Sequence, residues 1–293
     1  RMTDVESQMK KFLAVILLAA LLVGVKFFYL DRSAAKEIDA QLQRTERFVS
    51  VKYKSVSRDW LSWRPRMKHV TIAPVGASSS VEVESILIRQ FDKAHEIPFA
   101  MDIECNGVKT AVNDANFGAA APDLQKMGYT EMQGVLRLNY EYQPEQKTFK
   151  LHEFRVGAEN VGHLTFSLHL GNLDLNPQNL LFLLMTYPNI TIQRAELRYD
   201  DDSLISRIQH LQAAKEGKSD EAIVNEWTAQ LDKELAQATN EFSKDALNAV
   251  KTFVKRPKRL KIVVAPNPPI SLKALERIDP RNAPQTLNMN VTS

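Results

Sequence analysis

His163-Leu164-Thr165-Phe166-Ser167-Leu168-His169-Leu170 alternates apolar and polar residues without a slip, and a period of two is the signature of a half-buried β-strand. Leu164, Phe166, Leu168 and Leu170 share one face; His163, Thr165, Ser167 and His169 share the other. Gly134, Leu136, Leu138, Tyr140 and Tyr142 alternate in the same way with Val135, Arg137, Asn139, Glu141 and Gln143. Such strands belong to an antiparallel sheet with one covered face. Similar stretches predict strands over 50–57, 66–74, 80–91, 97–104, 147–157, 189–199, 259–265 and 285–291. Pro144-Glu145-Gln146 and the stretch from Gly157 to Gly162 supply hairpin connections.

Helical signals cluster after these strands. Asn176-Pro177 is an N-cap followed by proline at the first helical position, which opens a helix from Gln178 to Tyr187. Its residues 180–185 are apolar all round, whereas a helix lying on a sheet needs only one apolar face. Leu180, Phe182, Leu183, Leu184 and Met185 are therefore candidates to line a pocket for an apolar ligand. Asp200-Asp201-Asp202-Ser203 is expected to begin a helix carrying Leu204, Ile205, Ile208 and Leu211, stopped by Gly217. From Ser219 to Lys255 the stripe Ala222, Ile223, Trp227, Leu231, Leu235, Ala238, Phe242, Ala246, Val250 and Phe253 predicts one helix of roughly 50 Å. A stripe of that length asks for an elongated, curved sheet beneath it, hence one α+β domain.

The beginning of the chain has a different character. Lys10 and Lys11 precede an apolar run, Phe12 to Leu30, interrupted by Lys26 and ending in Phe27-Phe28-Tyr29-Leu30. At ~1.5 Å per residue the run reaches roughly 28 Å, near the hydrocarbon thickness of a bilayer. An aromatic exit and the absence of an A-x-A-like site favour a transmembrane signal anchor over 9–30; Ser33-Ala34-Ala35 is the one passable cleavage context. Lysines before the span orient the remainder, 31–293, as an extracytoplasmic β-rich body. Residues 31–49, with Ala34, Ala35, Ile38, Leu42, Thr45 and Val49, predict an amphipathic helix leaving the membrane.

Composition narrows the chemistry. The 293 residues are 44% hydrophobic and 25% charged, as in a folded protein, and the single cysteine, Cys105, excludes an internal disulfide and any multi-cysteine zinc site. In an oxidising compartment it is expected in the core. A formal charge of +3 is too small for a nucleic-acid binder, so no nucleic acid is expected as partner. The excess is local, in Lys255, Arg256, Lys258, Arg259 and Lys261. Lys255, Arg256, Lys258 and Arg259 suit either a helix C-terminus or a membrane surface carrying anionic head groups.

Catalytic and metal motifs fail on spacing. Gly157-Ala158-Glu159-Asn160-Val161-Gly162 has P-loop glycines, but His163 and Leu164 stand where Lys and Ser/Thr must contact phosphate and metal. His163 and His169 lie roughly 20 Å apart along an extended strand, too far for one ion. Asp200-Asp201-Asp202 lacks the interleaved ligands of a calcium loop. No G-x-S-x-G surrounds a serine, so neither an enzyme nor a cofactor is expected, a hydrolase with a dispersed site being the third reading.

Several stretches together resemble a known group. Val51-Lys52-Tyr53, Trp60-Leu61-Ser62 and Val70-Thr71-Ile72, with Ile190-Thr191-Ile192, Leu197-Arg198-Tyr199-Asp200, Gly217-Lys218-Ser219 and the segment from Leu260 to Leu272, are similar in layout to bacterial inner-membrane-anchored periplasmic proteins of the YdgA and AsmA-like type. The resemblance implies long curved sheets with an apolar groove, used in envelope lipid homeostasis, and no catalytic residue. The expectation is therefore a membrane-anchored envelope protein of the bacterial inner membrane with its body in the periplasm. It would bind a lipid or other apolar ligand. The alternative is a structural assembly factor whose apolar surface meets another envelope protein.

Overall fold

The computed structural model describes residues 49–58, 65–74, 81–92, 94–95, 98–175, 186–279 and 281–293. Eleven strands are hydrogen-bonded in the order β1-β2-β3-β4-β5-β6-β7-β8-β9-β11, with β10 on β8. They are β1 (Val49–Arg58), β2 (Pro65–Pro74), β3 (Val81–Phe91), β4 (Ala100–Ala111), β5 (Glu131–Gln143), β6 (Thr148–Ala158), β7 (Gly162–Gly171), β8 (Thr191–Asp201), β9 (Arg259–Val264), β10 (Ile270–Ser271) and β11 (Met289–Thr292). The chain divides into two compact units, 1–139 and 140–293, and β5 begins in the first and ends in the second.

In the first unit the apolar side of the sheet changes midway along the strands. Register pairs Val70 with Val83 and Val83 with Val108 on one face. Met67, Ile86 and Cys105 are paired on the opposite face. Val70, Val83, Met67, Ile86 and Cys105 are all buried. The phase shifts because β3 runs Val81, Val83 and then Ile86, Ile88, an odd step in a period of two. Between the two rows His69 (φ 50°) and Gly107 (φ 68°) take left-handed backbone. A Cβ at Gly107 would stand 2.6 Å from the Glu84 Cβ, so this row tolerates glycine alone at that position. Short helices α1 (Asp114–Phe117) and α2 (Ala121–Lys126) connect β4 to β5.

The second unit carries the helices α3 (Leu204–Glu216), α4 (Asp220–Gln237), α5 (Glu241–Lys255), α6 (Leu272–Leu275) and α7 (Ala283–Thr286). Gly217, at φ 65°, is the left-handed cap of α3. Gln209, buried on α3, donates through Nε2 to the carbonyl of Val254 at 2.8 Å and ties α3 to α5. Helix α5 packs on β11 and β9, and Phe253 meets the ring of Tyr199 edge-on with centroids 6.0 Å apart.

The expected architecture, an N-terminal transmembrane helix before an elongated curved sheet with one long helix, is corrected. Among the described residues no helix is long and apolar enough to cross a membrane, and the frame is the eleven-stranded antiparallel sheet with helices in short pieces. The anchor expected over 9–30 lies outside the described residues, as does the amphipathic helix expected over 31–49 except for its last residue, Val49, which begins β1. The single helix expected from Ser219 to Lys255 is two. Ala238 turns to φ −66°, ψ 123°, and Asn240 then caps α5, its side chain accepting the Ser243 N–H at 2.8 Å. A side-chain acceptor placed just before Glu241 offers the backbone a new start, which an uninterrupted apolar stripe conceals. The helix expected to begin at Asp200 also starts later. Asp200 and Asp201 still belong to β8, and the Asp201 carboxylate accepts the Ile205 N–H at 3.1 Å and the Tyr199 hydroxyl at 2.8 Å.

Candidate functional site

Cross-strand register in the second unit sorts its side chains onto two chemically opposite faces. On one, Phe149, Leu151, Phe154 and Val156 of β6 pair with Leu170, Leu168, Phe166 and Leu164 of β7. These meet Ile192, Ala195, Leu197 and Tyr199 of β8. Val264, Ile262 and Leu260 of β9 follow, then Met289 and Val291 of β11. One row, Phe154-Phe166-Leu197-Ile262-Val291, is apolar across five strands. Not one of these residues is buried, and Leu164 and Leu197 are 41% and 38% exposed. A sheet face of this composition is ordinarily covered. Among the described residues the main helix-to-sheet packing is that of α5, at β9 and β11, and no helix packs to a similar extent on β6, β7 or β8.

Two connections border this face. Tyr140 packs against Phe149 with ring centroids 5.6 Å apart, which places β5's tyrosines beside β6's apolar side chains. The Tyr142 hydroxyl donates to the Leu173 carbonyl and accepts the Leu175 N–H, each at 3.1 Å. Leu173 and Ile190 are buried, so the chain is held firmly after β7 and again before β8.

The opposite face is polar and ionic. Along β8, Arg194, Glu196, Arg198 and Asp200 alternate in sign. Arg194 pairs with Glu196 at 3.0 Å, while Asp200 accepts Arg198 Nε at 2.7 Å and Arg259 Nε at 2.6 Å. Partial burial pushes the Asp200 carboxyl up, but the guanidiniums of Arg259 and Arg198 outweigh it and hold the group below the usual carboxylate range. His169 stands in register between Lys150 and Arg194; burial, then the charges of His152, Lys150 and Arg194, keep its pKa below the ordinary histidine value. His163 lies 3.6 Å from Asp202. A bulge puts both His152 and Glu153 of β6 opposite Ser167 and opens a shallow depression of about 250 Å³ lined by His152, Glu153, Thr165, Ser167, Glu196 and Arg198.

The residues singled out from the sequence fall as follows. Leu180, Phe182, Leu183, Leu184 and Met185 lie outside the described residues. Lys255, Arg256, Lys258 and Arg259 are exposed but do not form one strip: Lys255 closes α5, Arg256 caps it through an N–H to the Thr252 carbonyl, and Lys258 and Arg259 lead into β9. The Lys258 carbonyl accepts the Asp201 N–H at 2.8 Å, and Arg259 is engaged by Asp200. Cys105 is fully buried, and burial, then the charge of Glu104, pushes its thiol up to about 12, far from nucleophilic use. Among the described residues no cluster of three or more His, Cys, Asp or Glu has the geometry to hold a metal. A second depression, about 400 Å³, opens in the first unit beside His69, Glu82, Glu84 and Lys109. Exposed ionic side chains of both signs line it, which makes it a solvated fold of the sheet surface.

Comparisons with known proteins add extent without adding chemistry. A family whose description is "Uncharacterized protein" matches residues 155–293, from within β6 onward. A protein of Aquifex aeolicus (strain VF5), described in the same words, is 24% identical over 287 residues, spanning 91% of this chain and 92% of its own.

Proposed function

We propose that this protein binds an apolar ligand, the acyl chain of a lipid, along the apolar face of β6 to β9, and that it works in lipid handling at the cell envelope. The observation that supports the reading is that an apolar sheet face spanning five strands contains no buried side chain. Completing the burial of a Leu or Phe side chain is worth about 1.5–3 kcal/mol from full exposure. These side chains begin half covered, so several together supply a few kcal/mol, the range in which an acyl chain binds and is released. In this reading the exposed Lys255, Arg256 and Lys258 sit against anionic head groups at roughly 1 kcal/mol each. Arg259 contributes less, since its charge is shared with Asp200.

Titration of the full chain with a fluorescent fatty acid, followed by displacement with phospholipid, tests this. Binding is expected to saturate, and Leu164→Glu or Leu197→Glu is expected to weaken it at least tenfold with the thermal midpoint nearly unchanged, because both side chains already reach solvent. Equal binding by both variants and the parent would remove the sheet face from the account.

A further inference from the structure

The apolar face of the second unit has a direction. Phe253 of α5 meets the ring of Tyr199, which shares a strand face with Leu197, so α5 lies on the apolar side, where it packs on β9 and β11. On the β5 side the Tyr142 hydroxyl holds the stretch 173–175 at Leu173 and Leu175. Among the described residues the open part is therefore the strip over β6 to β8. Crosswise it measures two strand spacings of ~4.8 Å, about 10 Å. Lengthwise, from Leu164 to Leu170, it is six residues at ~3.3 Å, about 20 Å. An acyl chain fills half of a hydrocarbon core ~30 Å thick and so reaches about 15 Å. It fits along the strands and not across them.

The two ends of the strip differ. At one end Val156, Leu164, Tyr199 and Leu260 stand in register, and a Cβ at Gly162 would lie 2.7 Å from the Tyr199 hydroxyl, so the tyrosine leans over the start of β7. The link from α5 down to β9 passes this end, since Phe253 touches Tyr199 and the Lys258 carbonyl accepts the Asp201 N–H at 2.8 Å. Lys255, Arg256 and Lys258 are exposed there and belong to no ion pair among the described residues. The aspartates nearby are engaged. Asp201 accepts the Tyr199 hydroxyl and the Ile205 N–H, Asp202 lies beside His163 of the polar face, and Asp200 is held by Arg198 and Arg259. Glu159, in the turn before β7, is exposed, one carboxylate against three cations. The other end is apolar: Phe149, Leu170 and Ile192 stand in register with Ile270 of β10 beyond them, and the nearby Lys147 is paired with Asp174 at 3.5 Å. Leu164 and Leu197, the most exposed side chains of the strip, stand toward the basic end.

We propose that the strip takes a phospholipid with an anionic head group and binds it in one direction. An acyl chain lies along β7 and β8 with its ester end over Leu164 and Leu197 and its terminal methyl over Leu170 and Ile192, and the phosphate stands against Lys255, Arg256 and Lys258. This inference rests on the acyl-binding reading and adds to it a direction and a head-group charge.

The test is methyl NMR of the full chain, labelled at Leu and Ile, with lysophosphatidylglycerol below its micellar concentration. The probe carries a nitroxide on its acyl chain, beside the ester or beside the terminal methyl. The nitroxide beside the ester is expected to broaden Leu164 and Leu197 several-fold more than Leu170 and Ile192, and the nitroxide beside the methyl is expected to do the reverse. Unlabelled lysophosphatidylglycerol is expected to bind several-fold more tightly than lysophosphatidylcholine. That preference is expected to vanish when Lys255→Gln, Arg256→Gln and Lys258→Gln are combined, and to persist in Lys233→Gln on α4. Binding with equal or reversed broadening at the two ends, or with equal affinity for the two head groups in the parent, overturns this inference and leaves the acyl-binding reading standing. No binding of either lipid overturns both.

Discussion

At the residue scale the first unit keeps a set of charges in the half-buried polar part of its sheet. Arg89 Nη2 donates to Glu104 at 2.5 Å, Asn106 Nδ2 donates to the same carboxylate at 2.9 Å, and Arg137 forks onto Asp102 at 3.2 and 3.3 Å. Burial pushes the Glu104 carboxyl up, yet Asn106, Arg89 and Arg137 together hold it below the ordinary glutamate value of 4.5. A carboxylate with a lowered folded pKa binds protons more readily when unfolded, so its stabilisation is complete above 4.5 and is lost as pH falls through the lower folded value. Urea midpoints from pH 7 down to 3 are therefore expected to fall, and Glu104→Gln, less stable at pH 7, is expected to show a shallower fall over the acid part of that range. Parallel curves for parent and variant would remove Glu104 from the acid response. None of the pairings among these five residues was legible in the sequence; Arg89 and Glu104, for one, meet only through a register set by two whole strands.

At the scale of elements the sequence carried more. The alternation over 163–170 marks β7, found at Gly162–Gly171, and the slip in phase from Leu151 to Phe154 is the bulge of β6. Such signals survive because a one-residue shift would turn every apolar side chain to the wrong face. The two-residue β10 left no period to read, and β11 starts only at Met289 because Ala283–Thr286, with Pro284 in its first turn, forms a short helix. The break between α4 and α5 had a local signal in Thr239-Asn240-Glu241 that the longer stripe outweighed. Asn240→Ala removes the acceptor for the Ser243 N–H and is expected to cost about 1 kcal/mol, read as a lower urea midpoint. If α5 instead continued α4 in solution, the alanine, a better helix former, would raise the midpoint.

At the scale of the molecule the account rests on the contrast between the two faces of the second unit's sheet. Their chemistry was visible in Leu164, Phe166, Leu168 and Leu170 set against His163, Thr165, Ser167 and His169. Their exposure was not, because the alternation is the same whether a helix covers a strand or solvent reaches it. Phe154, Phe166, Leu197, Ile262 and Val291 are separated by up to 137 positions in sequence, and only the strand order makes them a row. The most direct measurement is native mass spectrometry of the full chain after gentle extraction, for the parent and for Leu164→Glu combined with Leu197→Glu. A lipid-mass adduct is expected on the parent and is expected to be lost from the double variant, with its circular dichroism retained. A parent free of lipid, together with crosslinks from positions 164 and 197 to another protein, would contradict the acyl-binding account and give this face to a protein partner.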